Sequence, residues 1–410
     1  MDLYDITIIG GGPTGLFGSF YAGLRGLKVK VIDVLPELGG QLTALYPEKY
    51  VYDVAGHPKI LAKDLAKNLA TQASLFKPTI VLGEKVLDLK KGEDGNWQIV
   101  TDQADNHYSK TVLLALGAGA CVPKKLDADY PRELEGECIF YAVKNKERFR
   151  GKNVLIIGGG DSAVDWANEF SVLANKVTLI HRRDGFRAVQ TSVEEMKRNK
   201  VDVKTFYELK EIKTTDKSVE EAIIFDNRTG KEETLKVDAI VINIGFVINL
   251  DFLKSWGLKM DVNAISVNEM METSLPGVYA AGDIAHYPAN GKPVRIEHWK
   301  VACQQGRVAG MNMAGARLKY QAVPFFWSAQ QDKVLGYVGH VKDYEQTIVE
   351  GDLDGDSFLV HYAKGGAIRA TLSLFRDADL CAIQELMLEG RMPGPEEVKK
   401  GVDWVQLLRK

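Results

Sequence analysis

Cysteine is scarce in this chain of 410 residues. Its four cysteines, Cys121, Cys138, Cys303 and Cys381, lie singly, so neither a Cys-x-x-Cys redox pair nor a cysteine-based zinc set is available. An excess of one charge is missing too. Against 55 Asp+Glu stand 52 Lys+Arg, which leaves no electrostatic footprint for nucleic acid or an acidic membrane face. No apolar run reaches the roughly 18 residues needed to span a bilayer, and no basic segment precedes the first strand pattern. Low-complexity stretches are absent. A globular protein of a reducing compartment, expected in the cytoplasm, remains, and its length exceeds one ordinary core, so two or three domains are expected.

What the chain does have is clustered glycine. Tyr4 to Ile9 is a β-branched run that leads into Gly10-Gly11-Gly12-Pro13-Thr14-Gly15 and then a helical pattern from Leu16 to Leu24; a second strand, Val29 to Ile32, ends on Asp33. The layout returns at Asn153 to Ile157, Gly158-Gly159-Gly160-Asp161-Ser162-Ala163, a helix from Val164 to Leu173, and a strand from Lys176 to Ile180 that ends on His181-Arg182-Arg183. This is an internal duplication of a strand, glycine turn and helix. A lone GxGxxG is a weak signal, but here each copy follows a strand, opens a helix and precedes a polar strand end, which is the context of a dinucleotide site. Gly10 permits the tight turn, Gly12 admits a pyrophosphate and Gly15 lets helix pack on strand. The helix N-terminus then offers free N–H groups to phosphate.

The copies differ where specificity is set. Asp33 can accept hydrogen bonds from a ribose 2'-hydroxyl and would repel a 2'-phosphate, so the first site suits FAD or NAD. In the second copy, His181, Arg182, Arg183 and Arg187 place cations where a 2'-phosphate would sit, which favours NADP. Gly282-Asp283 follows a buried strand, as expected where the chain returns to an FAD domain whose carboxylate holds the ribityl chain; by itself such an Asp is as readily a helix cap. Two such sites on one chain imply hydride transfer from nicotinamide to flavin. Elsewhere the pattern predicts antiparallel strands at Ile80 to Leu89 and Trp97 to Thr101, further strands at Thr111 to Leu116, Val201 to Thr205, Glu221 to Phe225 and Ala239 to Ile244, and a helix from about Ile296 to Ala314. From Pro324 short strands follow, with a two-residue hairpin turn at Gly365-Gly366 and a closing helix from Asp377 to Leu388.

Residues 1 to about 285 resemble the thioredoxin-reductase-like class of ferredoxin:NADP reductases. The matching stretches are Gly39 to Leu42, Ala44 to Lys49, Tyr52 to Gly56, Leu116 to Ala120, Tyr141 to Lys144, Gly158 to Trp166 and His181 to Ala188. The resemblance implies that Gly40, Gln41, Leu42, Tyr46 and Tyr52 to Val54 surround the isoalloxazine and that Val86 meets the adenine edge through its backbone. It also implies FAD contacts at Gly117 and Ile284 and an NADP contact at Gly245. Thioredoxin reductase shares the HRRxxFRA stretch, but its Cys-x-x-Cys is replaced here by Glu137 to Val143, so Cys138 reads as a core residue. Farther on, Arg295 to Trp299, Gln305 to Arg307 and Val323 to Ser328 are similar to reductases of the rubredoxin, putidaredoxin and apoptosis-inducing-factor type. The chain therefore reads as a hybrid or chimera with a seam between Asp283 and Arg295. The aromatic tail that covers the flavin in the first class is absent. His298, Trp299 and Trp327 are the expected replacements near the flavin, with plain interdomain core as the other reading of the two tryptophans, and Glu297 is a further expected FAD contact; no catalytic residue is assigned beyond the three candidates.

The expected fold is α/β: two Rossmann-like, glutathione-reductase-like domains for FAD (1–118 and 247–323) and NADP (119–246), plus a C-terminal α+β domain (324–410). The expected function is an NADPH-dependent flavoprotein that passes single electrons to a small iron-sulfur carrier of ferredoxin or rubredoxin type, acting as a homodimer and holding no metal. Two alternatives stand beside it, an NAD(P)H oxidase or quinone reductase without a protein partner and an NAD(P)H-sensing redox interaction protein.

Overall fold

The computed structural model describes residues 2–410 apart from 52, 104–105, 120, 189, 200, 249, 262, 290–291 and 331–332. Leu3–Ile9 is apolar except at Asp5 and Thr7 and is buried on both faces from Ile6 to Ile9, as suits a strand inside a covered parallel sheet. It pairs with Val29–Asp33 on one side and His107–Leu114 on the other. Thr79–Leu82 adds outside Val29–Asp33, and Val278–Ala280, from far along the chain, adds beside His107–Leu114. Trp97–Thr101 and Val86–Lys91 extend this sheet with antiparallel pairing. The second sheet repeats the plan: Asn153–Gly158 lies between Lys176–His181 and Ala239–Asn243, with Asp202–Thr205 and Ile139–Phe140 at the edges, all parallel. Tyr207–Thr214, Val219–Asp226 and Glu232–Lys236 form its antiparallel flap. The duplication seen in the glycine turns thus extends to both sheets and their flaps.

Several boundaries differ from the sequence expectation. The single antiparallel strand expected over Ile80 to Leu89 is two, Thr79–Leu82, which pairs parallel with Val29–Asp33, and Val86–Lys91, which pairs antiparallel with Trp97–Thr101. Gly83 breaks it at φ +70°, and the Glu84 N–H donates back to the Asp33 carbonyl (3.1 Å). The long helix starts at Trp299 rather than Ile296, because His298 is extended and caps it, its Nδ1 accepting from the Lys300 N–H. The helix Ala62–Ser74 was not expected; its apolar residues Ala62, Leu65, Ala66 and Ala73 face inward on an otherwise polar surface.

The C-terminal part is a five-stranded antiparallel sheet, ordered Phe325–Gln330, Lys333–Gly339, Ala367–Leu374, Phe358–Lys364 and Gln346–Gly351. Its hairpin turns at Gly365 and Gly366 with φ +59° and +71°, the mirror-image turn that matches strand twist. Asp377–Glu389 covers one face, where Leu380 comes so near Gly336 that a Cβ there would lie 2.4 Å from it. This helix does not close the fold. Pro395–Val398 and Trp404–Arg409 follow, and Val398 and Trp404 are buried in the same core.

Candidate active site

The first glycine turn is dictated by close approaches. A Cβ on Gly10, at φ +113°, would lie 2.2 Å from the Ala115 carbonyl oxygen, and one on Gly15 would lie 1.9 Å from that of Gly10. Gly12 is different: a Cβ there meets nothing nearer than Gly40 Cα at 3.7 Å. The protein's own packing does not demand glycine at that position, so the space beside it suits a bound group. The helix Pro13–Gly23 begins there with no side-chain cap, which leaves its first-turn donors for an anion.

These residues open on a cleft of about 830 Å³, a size proper to small-molecule and cofactor sites. Gly10, Gly12, Pro13, Thr14, Asp33, Gly40, Gln41, Leu42, Tyr46, Val86, Gly117, Asp283, Glu297, His298 and Trp299 all line it. Asp33 is buried, its two carboxylate oxygens accepting from the N–H groups of Gly11 (2.5 Å) and Leu35 (2.8 Å); burial raises its pKa. Asp283 accepts from Gln41 Nε2 at 2.9 Å. Burial, with Glu297 adding repulsion, pushes its carboxyl up to about 6. Burial and Asp283 together push the Tyr46 phenol up to about 12.

The part of the cleft wall formed by His298 and Trp299 is built across the chain. Trp299 Nε1 donates to Asp53 Oδ1 (2.7 Å), and His298 Nε2 stands 3.4 Å from Asp53 Oδ2. The indole packs against the buried cluster of Leu42, Ile60, Ala62, Leu65 and Ala66, as do Tyr46 and Val54. Of the remaining expected contacts, Gly15 lies beneath the turn and Ile284 is fully buried in the core. Ile284 therefore offers no side chain to the cleft. Tyr52 and the side chain of Trp327 lie outside the described residues.

The second turn repeats the first. A Cβ on Gly158 would lie 2.4 Å from the Asn243 carbonyl oxygen, whereas Gly160 faces open space. Asp161 and Ser162 open the helix Asp161–Ser171, and Ala163 sits beneath the turn, buried, at the place Gly15 holds in the first copy. The basic strand end folds over this turn: the Arg187 N–H donates to the Gly159 carbonyl (2.8 Å), and the His181 ring lies 2.4 Å from where a Gly159 Cβ would be. Burial lowers the His181 pKa, and Arg182, Arg183 and Arg187 add repulsion. All three arginines are exposed. Gly245 takes φ +100° just after the strand Ala239–Asn243.

A family model described as pyridine nucleotide-disulphide oxidoreductase matches residues 4–306. The chain belongs to this family. It is 49% identical over 286 residues, 70% of this chain and 86% of the relative, to the ferredoxin–NADP reductase of Geobacillus kaustophilus. With ferredoxin–NADP reductase 2 of Sulfolobus acidocaldarius it shares 52% over 285 residues, again 70% and 86%. Among solved structures it resembles T. acidophilum thioredoxin reductase (27% identity, TM-score 0.63, 77% of this chain and 99% of that one). The covalent putidaredoxin reductase–putidaredoxin complex is 20% identical with a TM-score of 0.70 and covers 100% of this chain and 98% of that one, a likeness of fold. A second model, described as reductase C-terminal, matches residues 325–403. Within this oxidoreductase family the chain lacks a Cys-x-x-Cys. Cys138 is buried among apolar residues, where desolvation raises its pKa.

Some cleft residues escaped the sequence reading. Glu84 lines the wall and accepts from Thr101 Oγ1 (2.5 Å) and His107 Nε2 (2.7 Å), while Lys30 Nζ donates to His107 Nδ1 (2.8 Å). Asp251, Phe252 and Trp256 close the same side, with Trp256 Nε1 donating to the Leu87 carbonyl (2.9 Å). No motif marks them, because they reach the cleft from strand ends and loops far apart in sequence.

Proposed function

We propose that this chain is an FAD-dependent NADPH oxidoreductase of the ferredoxin–NADP reductase type that delivers electrons to a small iron-sulfur protein. The observation that carries the reading is the pair of glycine turns with opposite strand ends, the acid Asp33 in one and the bases Arg182 and Arg183 in the other. The chemistry that FAD supplies is acceptance of a hydride from NADPH and its return as single electrons. The chain's part is placement. The Gly10 to Gly12 turn and the N-terminus of Pro13–Gly23 receive the pyrophosphate, Asp33 accepts from the ribose, and Asp283, oriented by Gln41, accepts from the ribityl hydroxyls. Gly158, Gly160 and the helix Asp161–Ser171 receive the NADP pyrophosphate, while Arg182, Arg183 and Arg187 grip the 2'-phosphate.

The same reading divides the chain into an FAD domain (1–118 and 247–323), an NADP domain (119–246) and a C-terminal domain (324–410). It also treats the last as a unit joined to a ferredoxin–NADP reductase body. In support, the curated relatives align over about 70% of the chain, whereas the C-terminal model matches 325–403. A cytoplasmic homodimer is part of the proposal. No helix among the described residues is long and apolar enough to cross a membrane. The test is a panel of acceptors, ferredoxins, rubredoxins, quinones and oxygen, assayed with NADPH and NADH on flavin-replete protein. Rapid NADPH-driven reduction of an iron-sulfur protein is expected; protein that takes up no FAD on reconstitution would refute the reading.

A further inference from the structure

We propose that Asp53 is a positioning residue whose carboxylate fixes the Trp299 indole as part of the cleft wall; the inference rests on FAD occupying that cleft. Asp53 lies on the loop after Tyr50–Val51, and Trp299 opens the helix Trp299–Met313, 246 positions away. One carboxylate serves two donors. Its Oδ1 takes the indole N–H at 2.7 Å, and its Oδ2 faces His298 Nε2 at 3.4 Å. Because His298 Nδ1 accepts from the Lys300 N–H (3.3 Å), the proton of a neutral ring belongs on Nε2, pointing at Asp53. A carboxylate suits this geometry, since an amide would set an NH₂ against one of the two donors. The indole meanwhile packs against the buried cluster of Leu42, Ile60, Ala62, Leu65 and Ala66, which Tyr46 and Val54 also cover. A ring packed against a buried apolar cluster and bonded to a carboxylate at its edge has lost its rotamer freedom. Held so, it closes that part of the cleft to water and fixes how near an incoming ring can approach.

The test uses full-length D53N, D53A, W299F and the D53A/W299F double variant. Three measurements are made on each: the FAD dissociation constant of the apoprotein, the fluorescence of bound flavin and the tryptophan emission of the apoprotein. D53A is expected to weaken FAD binding by about tenfold, the scale of one charge-assisted hydrogen bond. It should also raise bound-flavin fluorescence as the quenching indole swings away and red-shift the apoprotein emission. W299F should reproduce the flavin changes, and the double variant should be no worse than W299F, as expected of residues acting through one contact. D53N, which keeps an acceptor for the indole and is the milder change should D53A fold poorly, should fall between wild type and D53A. Effects of D53A and W299F that multiply, or D53A and D53N with wild-type flavin fluorescence and emission, would overturn the proposal. Wild-type protein that binds no FAD would sink the underlying reading instead, and an apoprotein emission unchanged by D53A would sink the Asp53–Trp299 link independently of FAD.

Discussion

Asp283 shows how a site residue opposes folding. Its carboxyl is pushed up to about 6 by burial from an ordinary value of 3.8, so the folded apoprotein holds this proton more tightly than the unfolded chain does. The stability it contributes is complete below about pH 3.8 and is lost as the pH rises through about 6, a change of up to about 3 kcal/mol. In the apoprotein D283N should therefore be more stable than wild type at pH 7.5, with the difference vanishing near pH 4, as read by denaturant melts. The same substitution should weaken FAD binding, because an acceptor is lost. In the second site, the exposed Arg182 and Arg183 are expected to act on ligand rather than on fold. R182A/R183A should raise the KM for NADPH at least about tenfold and that for NADH less than about threefold, in steady-state assays. Equal changes would remove the 2'-phosphate assignment. Both predictions concern residues legible in the sequence, because strand ends beside glycine turns announce their position. Glu84 and Trp256 were not legible, since their places depend on how distant loops meet.

The glycines separate what the elements need from what the ligands need. The helix Trp299–Met313 crosses Pro13–Gly23 so closely that a Cβ on Gly306 would lie 2.2 Å from the Thr14 carbonyl oxygen and one on Gly310 would lie 2.5 Å from that of Gly18. G306A must push the two helices apart and shift Thr14, which lines the cleft. It should cost about 2 kcal/mol or more and lower the flavin content of purified protein. G160A is the contrast, because open space surrounds that position. It should leave the melting temperature within about 2 °C of wild type and yet raise the NADPH KM sharply, since the methyl group occupies the space left for pyrophosphate. Element positions were readable wherever a short β-branched apolar run or a glycine turn held. The parallel strands, the Gly365-Gly366 hairpin and the helix after each turn came from such signals. The Ala62–Ser74 helix and the last two short helices were missed. The first carries a mostly polar surface and the last two are only four and six residues long, and it is clusters assembled from distant segments, with Leu42 and Ile60 around the first and Ile383 and Leu386 beside Trp404, that bury them.

At the scale of the whole molecule the two nucleotide halves must deliver one ring to another. No residue of the second glycine turn lines the cleft, so under the proposed reading the relative placement of the two halves governs hydride transfer. Among the described residues two ion pairs link the halves: Lys49 with Asp165, and Lys144 with Glu37 at 3.6 Å. The first is the better placed, since Asp165 lies one turn into the helix at the NADP turn and Lys49 lies three residues beyond Tyr46 of the cleft wall. Both of its side chains are about a third exposed, and a pair so open to water contributes at most about 1 kcal/mol. That magnitude sets the prediction. At low ionic strength K49A and D165A should each slow flavin reduction by NADPH up to about fivefold in stopped-flow absorbance, with little change in NADPH affinity. The exchange K49D/D165K should recover most of the loss. In about 0.5 M salt the variants and wild type should converge, because the screening length there is only a few ångströms. A rate deficit that persists in salt, or one the charge exchange fails to restore, would mean that Lys49 acts through packing and that the pair does not align the two halves.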